Sequence, residues 1–349
     1  MEKSGDFRFA VTLSLGFAAT AFVVAWVYDL PIRDPDGVAG PTYVRLPLIL
    51  LLAFLVDVVP RTLWRVRRNP LAAARQFTDV VRERWTWQQI KFAFVGLAAW
   101  YLTYVAFRNL KSAVPFVNGR LWDSTLERVD RALFFGNDPA TLLHNLLGEG
   151  LAAHVLAGVY MIWIGLVPFT LVVALVWSRN SRAGAWYVTA IAVDWVLGAI
   201  AYFIVPSLGP AYSRPDLFSE LPRTVNTPLV EQLMDDRHAV LTNPLTTNAV
   251  QTIAAFPSLH VGIMVSIVVM ARLLDLSRPI RFASWAFLVL TVLATIYLGW
   301  HFFVDTVAGA ALGYAGVAIA AWGTGNAMRR ISRDSHREAE SAEPTPFSR

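Results

Sequence analysis

Long apolar runs separated by short polar segments extend over most of the chain. Runs long enough to cross ~30 Å of hydrocarbon predict eight membrane-spanning helices, near residues 9–28, 43–60, 89–108, 151–177, 184–205, 259–275, 280–299 and 302–322. The last two form one nearly unbroken run from Ile280 to Trp322, which as a single helix would be about 65 Å long. This run must turn, and Gly299-Trp300-His301 is the predicted turn. We therefore expect an all-α polytopic membrane protein.

The segments between these runs predict the domain boundaries. We divide the chain into two N-terminal spanning helices (1–60), a basic cytoplasmic segment (61–88), a six-helix core (89–327) and a charged cytoplasmic tail (328–349) that we expect to be disordered. Within the core, residues 109–150 place Trp122, Leu126, Val129 and Leu133 on one helical face, which predicts a helix lying on the outer surface of the bilayer. Residues 206–257 are rich in Pro, Thr and Asn and predict an irregular outer cap.

The composition agrees with an integral membrane protein. The 349 residues are 56% hydrophobic and 16% charged, with a mean hydropathy of +0.48, which is too apolar for an ordinary soluble domain. The absence of cysteine excludes disulfides and thiolate metal sites. Basic residues cluster in the segments 61–91, 178–183 and 272–281 and after residue 328. With eight alternating spans these segments share one face, which the positive-inside rule makes cytoplasmic.

Two short motifs place ionisable side chains beside these apolar runs. Phe256-Pro-Ser-Leu-His260 precedes the sixth predicted span, and Trp300-His-Phe-Phe-Val-Asp305 lies at the turn between the last two. Ionisable groups are costly at membrane depth, so such a cluster indicates a functional site. The start of the sixth span and the end of the seventh lie on the same face. We therefore expect the motifs to meet outside the cytoplasm.

The residue types in these motifs suit chemistry at phosphorus. His301 and Asp305 are spaced i,i+4, so a carboxylate accepting one ring N–H would fix the histidine tautomer and direct the other nitrogen outward. His260 and Ser258 lie at a helix N-terminus, where free backbone N–H groups favour an anion. This arrangement predicts a nucleophilic histidine and a second histidine that protonates the leaving oxygen.

Other interpretations of the same residues stay open at this point. A single interfacial histidine is more often structural, and Pro257-Ser258 alone can be a helix start. Two histidines and one carboxylate are also a known metal-ligand set, which here would be His260, His301 and Asp305. A non-catalytic lipid transporter or scaffold is the third alternative.

The two motifs, 41 residues apart, resemble the second and third motifs of the type-2 phosphatidic acid phosphatase superfamily. The resemblance covers about 89–322. It implies that His301 forms a phosphohistidine, that Asp305 orients it, and that His260 acts as acid and then as base. It implies no metal and no organic cofactor.

Departures from the family pattern narrow the expected substrate. Ser207 stands where the first motif has a lysine, Thr295 where the third has an arginine, and Leu259 where the second has a glycine. Two phosphate-binding cations are therefore missing. A phosphomonoester carries nearly two negative charges and a diester carries one, so the loss favours a phosphodiester donor such as an intact phospholipid.

The same departures are similar to the branch of fungal inositol phosphorylceramide synthases and sphingomyelin synthases. This implies transfer of a phosphorylated headgroup from a phospholipid to a lipid or polyprenyl hydroxyl acceptor. Inositol is suggested only by the branch. With water as acceptor the enzyme would instead be a lipid phosphate phosphatase. We expect a multi-pass plasma-membrane protein without a nucleic-acid partner, and the sequence leaves its oligomeric state open.

Further candidates for phosphate binding are Ser258 and three cations. Arg214 lies in the predicted outer cap and either binds phosphate or is simply solvated. Arg108 and Lys111 follow the third predicted span, where they are either headgroup contacts or membrane anchors. Asp194 lies inside the fifth span and needs a partner there, as a structural residue or as a substrate contact.

Overall fold

The computed structural model describes residues 6–35, 42–67, 72–178 and 180–329, and in these ranges it contains helices and no β-strand. The α-helices are α1 (Arg8–Val27), α2 (Thr42–Val66), α3 (Ala73–Arg84), α4 (Trp87–Val117), α5 (Asp123–Leu133), α6 (Pro139–Leu147), α7 (Leu151–Val172), α8 (Ser181–Ile204), α9 (Pro210–Ser213), α10 (Thr227–Thr242), α11 (Leu259–Leu273), α12 (Arg278–Tyr297) and α13 (Phe303–Gly323). A π-helical turn (Val173–Trp177) extends α7, and a 3-10 turn (Pro215–Phe218) follows α9. The predicted all-α fold is confirmed.

Six helices among the described residues are long and apolar enough to cross a membrane. They are α1, α4, α7 with its π turn, α8, α12 and α13. The span predicted near 259–275 forms α11, which is apolar but has only 15 residues, fewer than the ~20 that a full crossing takes. The span predicted near 43–60 lies within α2, where several side chains fall outside the described residues. The protein is thus an all-α polytopic membrane protein, with six clear spans where the sequence predicts eight.

The predicted turn between the last two spans is present. Helix α12 ends at Tyr297 and α13 begins at Phe303. Gly299 between them has φ +73°, and a Cβ there would lie 2.6 Å from the Phe218 ring and 2.8 Å from the Ala211 nitrogen. Only glycine combines this backbone conformation with so close an approach of the cap. The turn therefore fixes both the chain reversal and the position of residues 210–218 above it.

The sequence-based boundaries are wrong in two places. Helix α4 continues to Val117, so the third span is longer than predicted and carries Arg108 and Lys111 within it. The predicted irregular cap contains the 16-residue helix α10. Its proline is in the first turn, where the missing N–H costs nothing, so the Pro- and Asn-rich composition marks helix ends here. The predicted disordered tail lies outside the described residues from residue 330 onward.

The helices that position the two motifs approach each other through small residues. A Cβ at Gly313 of α13 would lie 2.0 Å from the Gly262 carbonyl oxygen of α11, and one at Gly309 would lie 2.2 Å from the Ser258 carbonyl oxygen. Such backbone contact is how helices pack where lipid gives no hydrophobic driving force. It holds the first turns of α11 and α13 side by side, and these turns carry His260 and Asp305.

Buried charges connect α2 and α3 to the end of the helix bundle that lies away from the two motifs, where the π turn after α7 ends. Asp57 of α2 is 2% exposed and accepts hydrogen bonds from Arg61, Arg84 and the indole N–H of Trp85. Arg84 also donates to the Val176 carbonyl oxygen at the end of the π turn. An ion pair this deep is stable only when its lone pairs and protons are satisfied, as they are here. We call this group, Asp57, Arg61, Arg84 and Trp85, the polar plug.

Candidate active site

The two motif histidines are in contact. His260 Nδ1 lies 2.9 Å from His301 Nε2, and the ring planes are inclined at 62°. One of these nitrogens must carry a proton and the other a lone pair for the contact to be a hydrogen bond. His260 belongs to the first turn of α11, whereas His301 lies in the turn before α13. The meeting expected from their positions at helix ends is therefore observed.

Asp305 lies behind the His301 ring. Its Oδ2 atom is 3.5 Å from His301 Nδ1 and accepts a 2.9 Å hydrogen bond from the backbone N–H of Phe302. His301 Nδ1 and Asp305 Oδ1 are both buried without a hydrogen-bond partner among the described residues. Since His301 precedes α13, the two residues do not share a helical face as the spacing suggested. The carboxylate instead accepts the N–H of Phe302 at the start of α13 and faces His301 Nδ1, the ring nitrogen that points away from His260.

Asp130 is a positioning residue that the sequence interpretation missed. From α5 it accepts hydrogen bonds from the backbone N–H groups of Phe303 and Val304, at 2.6 and 2.9 Å. Together with Asp305 it satisfies free N–H groups in the first turn of α13. Seven residues earlier on α5, Asp123 accepts hydrogen bonds from the N–H groups of residues 208 and 209. Helix α5 thus holds in place, through its two carboxylates, both the turn that carries His301 and the start of the outer cap at residues 208 and 209.

The orientation of α5 differs from the predicted one. The buried residues of α5 are Asp123, Leu126 and Asp130, whereas Leu133 is 54% exposed. The apolar face expected from Trp122, Leu126, Val129 and Leu133 is therefore only partly turned inward, since Val129 is also exposed. The free backbone N–H groups of α13 and of the cap attract the two carboxylates, so this side of α5 faces the protein.

Asp130 predicts a pH dependence of stability. Burial raises the pKa of Asp130 to about 6, against hydrogen bonds from Val304 and Phe303 that lower it. Because this lies above the ordinary value of 3.8, the folded protein binds more protons than the unfolded chain between these values. The stabilising contribution is complete below the lower value and is lost as the pH rises through about 6.

We expect the difference in melting temperature between the wild type and Asp130→Asn (wild type minus variant) to become smaller as the pH rises from acidic to neutral. The subtraction cancels the other titrating groups, and thermal unfolding of both purified proteins across this range measures it. A difference that rises with pH would contradict the raised pKa.

Lys111 faces the histidines across a cavity. This cavity of about 490 Å³ is lined by Lys111, His260 and His301 among other residues. The Nζ atom lies 4.8 Å from the centre of the Tyr202 ring and 5.7 Å from that of Phe107. Within the described ranges no carboxylate pairs with it, so a buried cation faces the histidines with aromatic rings and Arg108 nearby. Such a group is costly unless a ligand supplies the negative charge.

The other predicted phosphate-binding residues have different surroundings. Arg108 also lines the cavity, but one arm donates to the Pro35 carbonyl oxygen and its buried Nε has no partner among the described residues. Arg214 is paired with Glu127 and Asp216, outside the cavity. Ser258 is fully buried and its Oγ accepts from the N–H of Val261, which makes it the N-cap of α11. Of the four, only Arg108 and Lys111 face the cavity.

The positions that depart from the family pattern have structural contacts. Ser207 Oγ accepts from the backbone N–H of Phe256, and Thr295 Oγ1 donates to the Val292 carbonyl oxygen. Leu259 packs against Gly198, where a Cβ would lie 2.8 Å from it. Two of these positions, where the family pattern has cations, hold residues that pack the protein, and Lys111 from another helix lines the cavity.

Asp194 has a structural partner away from the cavity. Its Oδ2 atom lies 2.7 Å from Ser266 Oγ, which also contacts the Gly313 carbonyl oxygen. A Cβ at Gly316 would lie 1.9 Å from Oδ1. The carboxylate thereby joins α8, α11 and α13, and of the two interpretations left open the structural one fits.

The cavity is predominantly apolar and continues away from the histidines between α4 and α7. Aromatic rings surround the end of the cavity at the histidines. The ring centres of Trp163 and Tyr160 lie 4.3 and 5.0 Å from that of His260, and Tyr160 stacks on Trp300 with ring centres 4.8 Å apart. Further along, its walls are aliphatic, with Leu97, Val167, Leu171, Val172 and Leu175. A hydrocarbon chain fits this lining, with its polar end at the histidines.

The two histidines and the aspartate are not arranged as ligands of one metal ion. Asp305 lies on the Nδ1 side of His301, whereas His260 lies on the Nε2 side. Their donor atoms do not converge, and no group of three or more His, Cys, Asp or Glu residues in the described ranges could hold a metal ion. The arrangement instead suits proton transfer and nucleophilic attack at the His260–His301 contact.

A sequence model of the PAP2 superfamily matches residues 124–319, more than half of the chain. No curated protein and no solved structure gives a match. The matched range contains His260, His301 and Asp305 but leaves out α1 to α4, and with them Arg108 and Lys111.

Proposed function

Because the chain belongs to the PAP2 superfamily, we propose that it moves a phosphorylated headgroup from a phospholipid to the hydroxyl group of a second lipid. Membership supports phosphatase or phosphotransferase chemistry on lipids in general. The observation that carries the finer proposal is the 2.9 Å contact between His260 and His301 beside Lys111 in an apolar cavity. Inositol phosphate is our candidate headgroup, on the resemblance of the motifs to the inositol phosphorylceramide synthase branch.

In the first step His301 Nε2 attacks the phosphorus of the donor phosphodiester. A proton on Nδ1, directed at Asp305, leaves the lone pair on Nε2 free for this attack. The P–N bond forms as the P–O bond to the diacylglycerol oxygen breaks, and His260 gives its proton to that oxygen. Because 2.9 Å leaves no room for a phosphorus atom, the two rings must separate when the donor binds.

In the second step the phosphohistidine passes the headgroup on. Neutral His260 takes the proton of the acceptor hydroxyl, whose oxygen attacks phosphorus and breaks the P–N bond. His301 is restored as the neutral imidazole, and His260 again carries the proton for the next donor. Lys111 is placed to offset the negative charge of the phosphoryl oxygens in both steps.

The lining of the cavity favours a lipid acceptor over water. An apolar, aromatic enclosure excludes water and thereby suppresses hydrolysis of a reactive intermediate. Lys111 and Arg108 line the cavity, and Arg108 already donates to the Pro35 carbonyl oxygen. So few cations suit the one negative charge of a diester better than the larger charge of a monoester. These two features support transfer over the phosphatase alternative.

The experiment is incubation of the purified protein with phospholipids labelled in the headgroup phosphate, with and without long-chain lipid alcohols. Phosphatidylinositol, phosphatidylglycerol and phosphatidylethanolamine serve as separate donors. We expect a labelled lipid product that forms only when an acceptor is added. Release of labelled inorganic phosphate or free headgroup phosphate, independent of acceptor, would contradict the transferase proposal and favour hydrolysis.

We further propose that the histidines lie at the extracytoplasmic face of the plasma membrane. The contacts of Arg84, Arg182 and Arg281 are at the end of the bundle where α7 ends and α8 and α12 begin, which is opposite to the histidines. Basic residues flanking membrane helices favour the cytoplasm. The distribution of charge therefore supports an outward-facing site.

Cysteine labelling tests this orientation, because the chain has no cysteine of its own. Ser219 is exposed beside the histidine end, and Ser277 is exposed at the opposite end. In intact cells an impermeant thiol reagent should label Ser219→Cys and leave Ser277→Cys unlabelled until the membrane is opened. The reverse pattern would refute the orientation.

A further inference from the structure

We propose that the cavity below the histidines binds one hydrocarbon chain longer than a single membrane leaflet, and that Ala53 on α2 limits the length of chain that fits. The chain is that of the donor lipid whose phosphate reaches His301, so this inference rests on the proposed function. It assigns a role to α2, which lies outside the range matched by the superfamily.

The cavity is deep compared with a leaflet. On α4 its lining begins at Lys111, beside the histidines, and ends at Ala93. At about 1.5 Å of rise per residue this distance is ~27 Å. The hydrocarbon of one leaflet is ~15 Å thick, half of the whole core. A chain that fills the cavity therefore extends past the middle of the membrane.

The lining changes character along this length. Both cations of the cavity, Lys111 and Arg108, are on the last turns of α4 near the histidines. The distant third is built from Ala53, Ala93, Leu97, Leu171, Val172, Leu175 and Val176, without a charged side chain. One ligand matches both parts when it has an anionic group at one end and a hydrocarbon chain at the other.

The distant end of the cavity is closed. Ala53 on α2 is 6% exposed, and it lies one helical turn before Asp57 in the polar plug. Arg84 of the plug donates to the Val176 carbonyl oxygen, and Gln89 donates to that of Leu175. A hydrocarbon chain does not displace hydrogen-bonded buried ions, because they would be left unpaired. The small side chain of Ala53 is thus where the apolar space ends.

The structure favours one long unbranched or isoprenoid chain of the donor in the cavity, so the second chain of a diacyl donor stays in the bilayer. A donor drawn from the bilayer gains little from burial as such, because lipid tails are already apolar. Selection among chains therefore depends on whether they fit the cavity up to its far end at Ala53, and a bulkier residue at position 53 should shorten the longest chain accepted. A long fatty acyl group and a polyprenyl group share this chemistry.

The test compares wild type, Ala53→Phe and the control Leu52→Phe, whose position on α2 is 59% exposed. Each is assayed with donors of one headgroup whose chains are either shorter than one leaflet or as long as the cavity. The long-chain donors include an acyl series and a polyprenyl phosphodiester, which separates the two sources. We expect Ala53→Phe to lose about tenfold or more in kcat/KM with long chains and to keep wild-type values with short ones. Leu52→Phe should match the wild type with both.

Two outcomes would overturn the inference. One is equal loss by Ala53→Phe with short and long chains at an unchanged melting temperature, because position 53 then does not select by length. The other is unchanged turnover of long chains. Absence of any His301-dependent transfer would instead refute the proposed function. Binding then tests the cavity alone, because long-chain lipid should raise the melting temperature of the wild type and of Leu52→Phe but not that of Ala53→Phe.

Discussion

Replacing His301 with alanine should lower the rate of headgroup transfer by about 10³-fold or more. The expected loss is this large because His301 supplies the nitrogen of the P–N bond, and His260, its closest neighbour, is assigned to proton transfer instead. The side chain is 3% exposed, so alanine also removes packing contacts, and the effect on the fold is measured separately. Initial rates of label transfer, with thermal unfolding of the same samples, measure both effects.

His154→Ala is the matched control. His154 is exposed on α7 and does not line the cavity, so its loss should leave transfer within about twofold of the wild type. If His301→Ala folds as the wild type does and keeps transfer within tenfold of it, His301 is not the nucleophile.

A donor with a good leaving group separates the roles of the two histidines. His260 is assigned to protonate the departing oxygen, so an activated phosphodiester such as a nitrophenyl ester needs it less. We therefore expect this donor to give a burst of nitrophenol, with the headgroup left on His301, in His260→Ala but not in His301→Ala. An equal burst in both variants would show that the roles are assigned wrongly.

Replacing Lys111 with methionine should lower transfer by about 10²-fold while leaving the fold as stable as before or more so. The predicted loss corresponds to removing one charge that stabilises the phosphoryl oxygens in the transition state. Stability should not fall, because in the described structure the lysine has aromatic neighbours and no carboxylate partner. Methionine fills a similar volume without a buried charge. A purely structural lysine would show the opposite pattern, with stability and activity falling together.

Lys91→Met controls for the change of charge. Lys91 is exposed on the first turns of the same helix, far from the histidines, and should behave as the wild type in both measurements. Lys111→Arg keeps the charge and should recover part of the activity. If Lys111→Met transfers headgroups at the wild-type rate, the cation that replaces the missing family residues lies elsewhere.

Apolar run length and alternation of crossings predict much of this fold. They locate the six clear spans, the turn at Gly299 and the meeting of His260 with His301, because these features follow from local composition and from helix direction. They do not predict the bonds from Asp130 to residues 303 and 304, which connect positions more than 170 apart in sequence. Pairing at this distance depends on which backbone N–H groups are left free, and only the assembled helices show that.

The site, like the fold, has residues that the sequence predicts and residues that it does not. The spacing of the motifs identifies the histidines and Asp305, but a cation cannot be assigned to the site from sequence position alone. Arg214 lies in the segment aligned with a family motif and is held by Glu127 and Asp216, whereas Lys111 lies outside the matched range and faces the cavity. Which way the Lys111 side chain points depends on how α4 packs against α1 and α8. Ser258 is a similar case, because its hydroxyl serves as the cap of a helix.

The central claim is that the donor's phosphoryl group is carried on His301. The most direct measurement is mass spectrometry of protein quenched at alkaline pH, where phosphohistidine survives, after incubation with donor and no acceptor. The account predicts the mass of the phosphorylated headgroup on the peptide containing His301, its removal when a lipid alcohol is added, and its absence in His301→Ala. Acceptor-dependent transfer with no modification of that peptide at any time before or during turnover would contradict it.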